Sequence, residues 1–154
     1  MKMTIITVGK RSDEQIQALI DDYSRRLKFK LEWVLIPNQN ARNDIERIKL
    51  KESELIISQL NKSGSRYTIL LDESGQMLSS PQLSAKLDRA LANSLNLTFI
   101  IGGAYGVHQK LKHNVDFIWS LSDLVFPHQL VRLILTEQIY RAISISEGSS
   151  YHHA

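Results

Sequence analysis

The chain has 154 residues, 43% of them apolar and 23% charged, which suits one folded domain over 1–154 and excludes a disordered polypeptide. No apolar run approaches the ~18 residues that cross a bilayer, and Met1-Lys2-Met3-Thr4 opens no signal peptide, so a cytoplasmic home without membrane association is expected. Zero cysteines remove disulfides, thiolate metal sites and cysteine nucleophiles together, while a net charge of +3 permits a nucleic-acid partner without demanding one.

Met3-Thr4-Ile5-Ile6-Thr7-Val8 is a β-branched run closed by Gly9 and predicts a first strand. Ser12, with Gln15 three residues on, has the form of a capping box for a helix through Lys28. Its apolar face is Ile16, Leu19, Ile20, Tyr23 and Leu27, at helical spacing. Leu31 to Ile36 predicts a second strand, stopped by Pro37-Asn38 and followed by a polar loop over 37–43. A helix from Asp44 to Leu60 carries Ile45, Ile48, Leu55, Ile56 and Leu60, and Ser63-Gly64 ends the segment. Tyr67 to Leu71 is nearly continuous in apolar character, the pattern of a strand covered on both faces.

Ser80-Pro81 reads as an N-cap followed by proline at the first helical position, with Leu83, Leu87, Ala90 and Leu91 as the buried stripe. Leu97 to Ile101 is a fourth strand that runs directly into Gly102-Gly103-Ala104-Tyr105-Gly106. Phe117 to Leu121 is a fifth, Pro127 opens a long helix to Ile145, and Gly148 starts a short tail. This alternation predicts an α/β fold, a doubly wound and mostly parallel sheet.

Two segments have the form of a site. The glycine cluster after strand four is either a tight turn or a place where backbone closely approaches a ligand, at the strand ends where open α/β sheets hold ligands. It lacks the spacing and position of a dinucleotide fingerprint, and Thr4 stands where a phosphate loop needs its earlier glycine. Leu121-Ser122-Asp123-Leu124-Val125-Phe126-Pro127-His128 leaves strand five at the same sheet edge; it is either a plain connector or a backbone cradle. The histidines show no metal-ligand spacing, and no G-x-S-x-G motif exists. Arg25, Arg26, Lys28 and Lys30 either complement a helix dipole or contact phosphate. Glu137 and Arg141 have i,i+4 spacing and can pair, and Arg132 follows His128 by one turn. Leu130, Val131, Leu133, Ile134, Leu135, Ile139 and Ile143 make the last helix apolar around much of its girth, which suits an interface with a second copy.

Five segments in order carry a resemblance over nearly the whole length. They are Leu71-Asp72 followed by Gly75, the Ile100-Ile101-Gly102-Gly103 turn with Gly106, and Leu121-Ser122 through Phe126-Pro127-His128. The run Leu130-Val131-Arg132 with Glu137-Gln138-Ile139-Tyr140-Arg141-Ala142, and the ending Tyr151-His152, complete the set. Together they resemble the bacterial large-subunit (23S) ribosomal RNA pseudouridine N3-methyltransferases of the SPOUT class. The resemblance implies S-adenosylmethionine as methyl donor, no metal, a homodimer, a C-terminal trefoil knot, and the ribosome with its 23S RNA as substrate.

By the same resemblance Leu71, Gly102, Leu121, Ser122, Asp123, Leu124, Val125 and Phe126 hold the donor. His128, Arg132, Arg141, Tyr151 and His152 match the family's polar positions. Chemistry suggests His152 or His128 as base, Arg141 as ligand of an anion or phosphate, and Tyr151 as a stacking ring. The tail departs from the pattern: Ser150 stands where proline is usual, and His153-Ala154 replaces a basic ending. A non-catalytic RNA-binding module of the same fold is the alternative, with a Rossmann-like nucleotide enzyme third.

Overall fold

The structure is a computed structural model describing residues 2–62, 64 and 66–153. Its elements are β1 (Met3–Val8), α1 (Glu14–Arg26), β2 (Leu31–Ile36), α2 (Ile45–Asn61), β3 (Arg66–Met77), α3 (Ser80–Ala92), β4 (Asn96–Ile101), α4 (Gln109–Lys112), β5 (Phe117–Ser120) and α5 (His128–Ser146). The strands pair in the order β2-β1-β4-β3-β5, and every ladder is parallel. The expected α/β architecture is therefore the observed one.

Alternate strand residues feed two apolar layers, as the two-residue side-chain period of a strand requires. On one face Met3, Ile5, Ile69, Leu97 and Phe99 pack with Leu83 and Leu87 of α3 and with Leu135 and Ile139 of α5. On the other, Ile6, Val8, Leu70 and Ile100 pack with Ile56 and Leu60 of α2 and Leu111 of α4. In the first layer α5 lies against both α1 and α3.

Local chemistry shifts several boundaries from their sequence-based positions. Asp13, not Ser12, caps α1, its carboxylate accepting the Ile16 N–H at 3.0 Å. Ser79, not Ser80, caps α3, in a complete capping box with Gln82. Leu19, Ile45 and Leu55 sit on the predicted apolar faces yet are exposed. The short α4 was not anticipated, and the Ser63 assigned to the end of α2 lies outside the described residues.

The largest difference is β3. Beyond Leu71, which pairs with Trp119, the chain turns through Asp72–Gly75 and pairs again, Gln76 with Trp119 and Met77 with Ser120. Two stretches of β3 thus bear on β5. Gly75 makes the approach possible: a Cβ there would lie 2.5 Å from the Ile118 carbonyl and 2.7 Å from the Trp119 nitrogen.

Candidate active site

Parallel register brings three strand ends to one edge. Leu71 of β3 is level with Ile101 of β4 and with Trp119 of β5. The chain leaving each end turns over this edge, and a cavity of about 350 Å³ lies among the three exits. That size suits a small-molecule ligand.

After β4 the backbone doubles back at once. The Gly106 N–H donates to the Gly103 carbonyl at 3.0 Å, with Gly106 at φ +82°. A Cβ on Gly102 would come within 2.5 Å of Val107, and one on Gly103 would collide with the Glu52 carboxylate. The glycines are therefore needed for close packing as well as for turning. After β5, the Ser120 hydroxyl donates to the Ser122 carbonyl at 3.1 Å, and the Leu124 N–H donates to the Ser122 hydroxyl at 3.0 Å. These bonds hold a loop on which Leu124 is 72% and Val125 86% exposed, an apolar rim to the cavity.

Of the expected donor residues, Leu71, Gly102, Leu121, Ser122, Leu124, Val125 and Phe126 line this cavity, together with His128. Asp123 is exposed and does not line it. Trp119 lines it too, and its buried indole N–H has no hydrogen-bond partner among the described residues. An unsatisfied buried donor beside a glycine-walled cavity fits a ligand that brings acceptors and a flat ring.

Acidic groups surround the cavity in two different states. Desolvation pushes the Asp72 carboxyl up, but hydrogen bonds from Ser74 and Lys112 outweigh it and hold the group below its usual range. The Lys112 ammonium lies 2.9 Å away. Glu52 is only 6% exposed, and its carboxylate accepts the Gln39 N–H at 3.1 Å. Burial pushes this carboxyl up, while the Gln39 hydrogen bond and the charge of His128 pull it back. Nothing in the sequence marks Glu52, because a polar residue in an amphipathic helix carries no signal of burial.

Arg132 stands apart from the cavity. It is 4% exposed, and its guanidinium donates to the carbonyls of Lys10 at 2.6 Å and Val8 at 3.1 Å and to the Ser12 hydroxyl at 3.3 Å. Desolvation lowers its pKa. Its position makes it a strut tying the β1–α1 connection to α5.

Arg141, Tyr151 and His152 form a second cluster. Glu137 accepts from Arg141 Nε at 2.9 Å and Nη2 at 2.5 Å, the pairing expected of i,i+4 spacing. Gly148, at φ +67°, ends α5, and the tail folds back. Tyr151 then packs edge-on against Tyr140 at 4.7 Å and under the Arg141 guanidinium at 4.9 Å. The Tyr151 hydroxyl lies 3.1 Å from the Glu137 carboxylate and 3.4 Å from the Tyr23 hydroxyl. Burial, the Tyr23 hydrogen bond and the Glu137 charge hold the phenol well above its usual range. Arg141 Nη1 is 3.4 Å from His152 Nδ1. At 1.5 Å per residue, His128 to Arg141 spans about 20 Å of α5, so one chain keeps its two clusters apart.

Residues 1–152 match the family model described as Predicted SPOUT methyltransferase. The chain is 38% identical to the ribosomal RNA large subunit methyltransferase H of Acetivibrio thermocellus and 39% identical to that of Alkaliphilus oremlandii, the matches covering 99% of each chain. A protein of the same description from Flavobacterium johnsoniae is 39% identical, again with 99% of both chains covered. Among solved structures, a probable methylase family protein from Haemophilus influenzae Rd KW20 superposes with a TM-score of 0.60 over 99% of this chain and 70% of the other. At 8% identity that likeness is one of fold.

Proposed function

Because the chain belongs to the SPOUT methyltransferase family, we propose that it transfers a methyl group from S-adenosylmethionine to N3 of a pseudouridine in 23S ribosomal RNA, on the assembled ribosome in the cytoplasm. The observation that carries this reading is the glycine-walled cavity at the ends of β3, β4 and β5, lined by nearly all the residues assigned to the donor. The whole chain acts as one methyltransferase domain.

S-adenosylmethionine supplies a methyl carbon already activated by its sulfonium, which needs no metal. Backbone groups of Gly102 and of Leu121–Phe126 hold the nucleoside part, and the Trp119 indole N–H supplies one donor. N3 of the target ring is an imide nitrogen, nucleophilic only after losing its proton, so a base or a cation near the cavity must manage that proton. His128 stands at the cavity wall and is placed to accept it. Arg132 fixes the helix start that presents His128. Arg141 binds phosphate or the developing anion, Tyr151 stacks on a base, and His152 completes this second group.

The tail residues lie too far along α5 to serve the cavity of their own chain, which supports a homodimer in which each copy serves the other. Leu19, Leu133 and Ile134 line an apolar groove between α1 and α5, beside the exposed Leu130, and suit such an interface. A C-terminal trefoil knot belongs to the same proposal, supported by the chain's membership of the SPOUT family. Sedimentation should give a dimer at micromolar concentration; a monomer would remove the shared site. The functional test is transfer of label from S-adenosylmethionine to unmethylated ribosomes, isolated subunits and free RNA. Ribosomes should be labelled at the pseudouridine, and failure on all three substrates would refute the proposal.

A further inference from the structure

Buried carboxylates are expensive unless a cation or several donors satisfy them. Glu52 is 6% exposed, forms no ion pair among the described residues, and accepts one backbone N–H. Its other side lies against Gly103, where any side chain would collide with the carboxylate, and Gly103 is part of the cavity wall. The neighbouring Ser53 accepts the His108 N–H at 3.0 Å, so α2 grips the far end of the same turn and the carboxylate cannot drift from it. Of the other acids at this cavity, Asp72 is paired with Lys112, and Glu73 is open to solvent. A buried carboxylate with no salt-bridge partner among the described residues, influenced only at longer range by His128 and separated from the cavity by a glycine, is arranged for a cation that arrives with the ligand.

We propose that Glu52 is a specificity-determining counter-charge for the sulfonium of the methyl donor, acting across Gly103, and that it makes the cavity prefer the charged donor to the neutral product. This rests on the donor reading above. Once the methyl group has left, with the C–S electron pair staying on sulfur, the carboxylate has lost its partner and the thioether product is released more readily. Its charge acts through space, so Glu52 need not touch the ligand.

The test is calorimetric titration of S-adenosylmethionine and S-adenosylhomocysteine into the wild-type protein, Glu52→Gln and Glu52→Asp. At an effective dielectric of about 20, a charge pair about 12 Å apart gives a wild-type preference of roughly tenfold for the sulfonium ligand, and a closer pair gives more. Glu52→Gln should lose most of that preference, chiefly by binding S-adenosylmethionine more weakly, and Glu52→Asp should keep part of it. Distortion of the cavity weakens both ligands and leaves their ratio unchanged. An unchanged ratio in Glu52→Gln overturns the proposal, as does a wild-type protein without preference, a result that needs no variant to fold. Binding of neither ligand to the wild type would overturn the donor reading itself and this inference with it.

Discussion

Replacing Gly75 with alanine adds a single methyl group where the backbone of β3 closely approaches that of β5. The new Cβ would stand 2.5 Å from the Ile118 carbonyl carbon and oxygen and 2.7 Å from the Trp119 nitrogen, against an ordinary contact of about 3.5–4 Å. No flexible side chain can yield, so one of the two backbones must move by about 1 Å. Overpacking of this kind costs typically 1–3 kcal/mol, and a backbone-on-backbone clash belongs at or above the upper end. Moving β5 also strains its pairing with Gln76 and Met77, at roughly 1 kcal/mol for each hydrogen bond lost. A destabilisation of about 3 kcal/mol corresponds to a fall in Tm of roughly 6–12 °C for a chain of this size. Ser120 and Leu121, at the end of β5, line the cavity proposed for the donor, so donor binding should weaken as well. Thermal and urea unfolding together with donor calorimetry read both effects. A Gly75→Ala protein within about 0.5 kcal/mol of wild type, binding donor normally, would refute the close approach.

Gly102→Val should abolish donor binding, because even its Cβ would lie 2.5 Å from the Val107 side chain and force it into the cavity space; calorimetry with and without chelator checks this, and the chelator should change nothing in the wild type. Removal of residues 149–154, or Arg141→Ala, should leave donor affinity intact while lowering single-turnover methylation of unmethylated ribosomes at least tenfold; near-normal turnover would leave the catalytic role to His128 alone, with Arg132 positioning it. Glu52→Gln should hold or raise stability near pH 7. The raised pKa of Glu52 means that the folded state binds its proton more tightly, so its favourable contribution is present below the unfolded carboxylate pKa and is lost as pH rises through the folded value. The advantage of Gln should therefore shrink on acidification, and urea unfolding at pH 4 and pH 7 compares the two. For Asp72 the sign is opposite: its stabilisation is present above the unfolded pKa and lost as pH falls through the depressed folded value, so Asp72→Asn should be destabilising near pH 7 and progressively less so in acid.

Periodicity was sufficient for the elements whose signal is local. Met3–Val8 and Leu31–Ile36 form strands over the predicted residues, because β-branched runs ended by Gly9 and Pro37 have one good conformation. Caps were displaced by one residue, since Ser12 and Asp13, or Ser79 and Ser80, offer equivalent oxygens and only the entering chain direction chooses between them. A helical stripe marks the middle of a buried face but not its width, hence Leu19, Ile45 and Leu55 in solvent.

The glycine turn and the Leu121–Phe126 loop were legible as motifs, because strand ends in a parallel sheet must share an edge. Only the tertiary structure decided what surrounds them. It put Glu52 behind Gly103, a juxtaposition of residues far apart in sequence that no spacing rule encodes. Burial of Arg132 follows from where α5 crosses the end of β1, since a guanidinium one turn from His128 can point either to solvent or to free carbonyls. The tail was also decided by packing: Tyr151 finds Tyr140, Arg141 and Glu137 because Gly148 reverses the chain onto α5. Sequence thus singled out the residues proposed for methyl transfer. Long-range contacts determined which of them meet within one chain, because helix rise holds Arg141 about 20 Å from His128 whatever their chemistry.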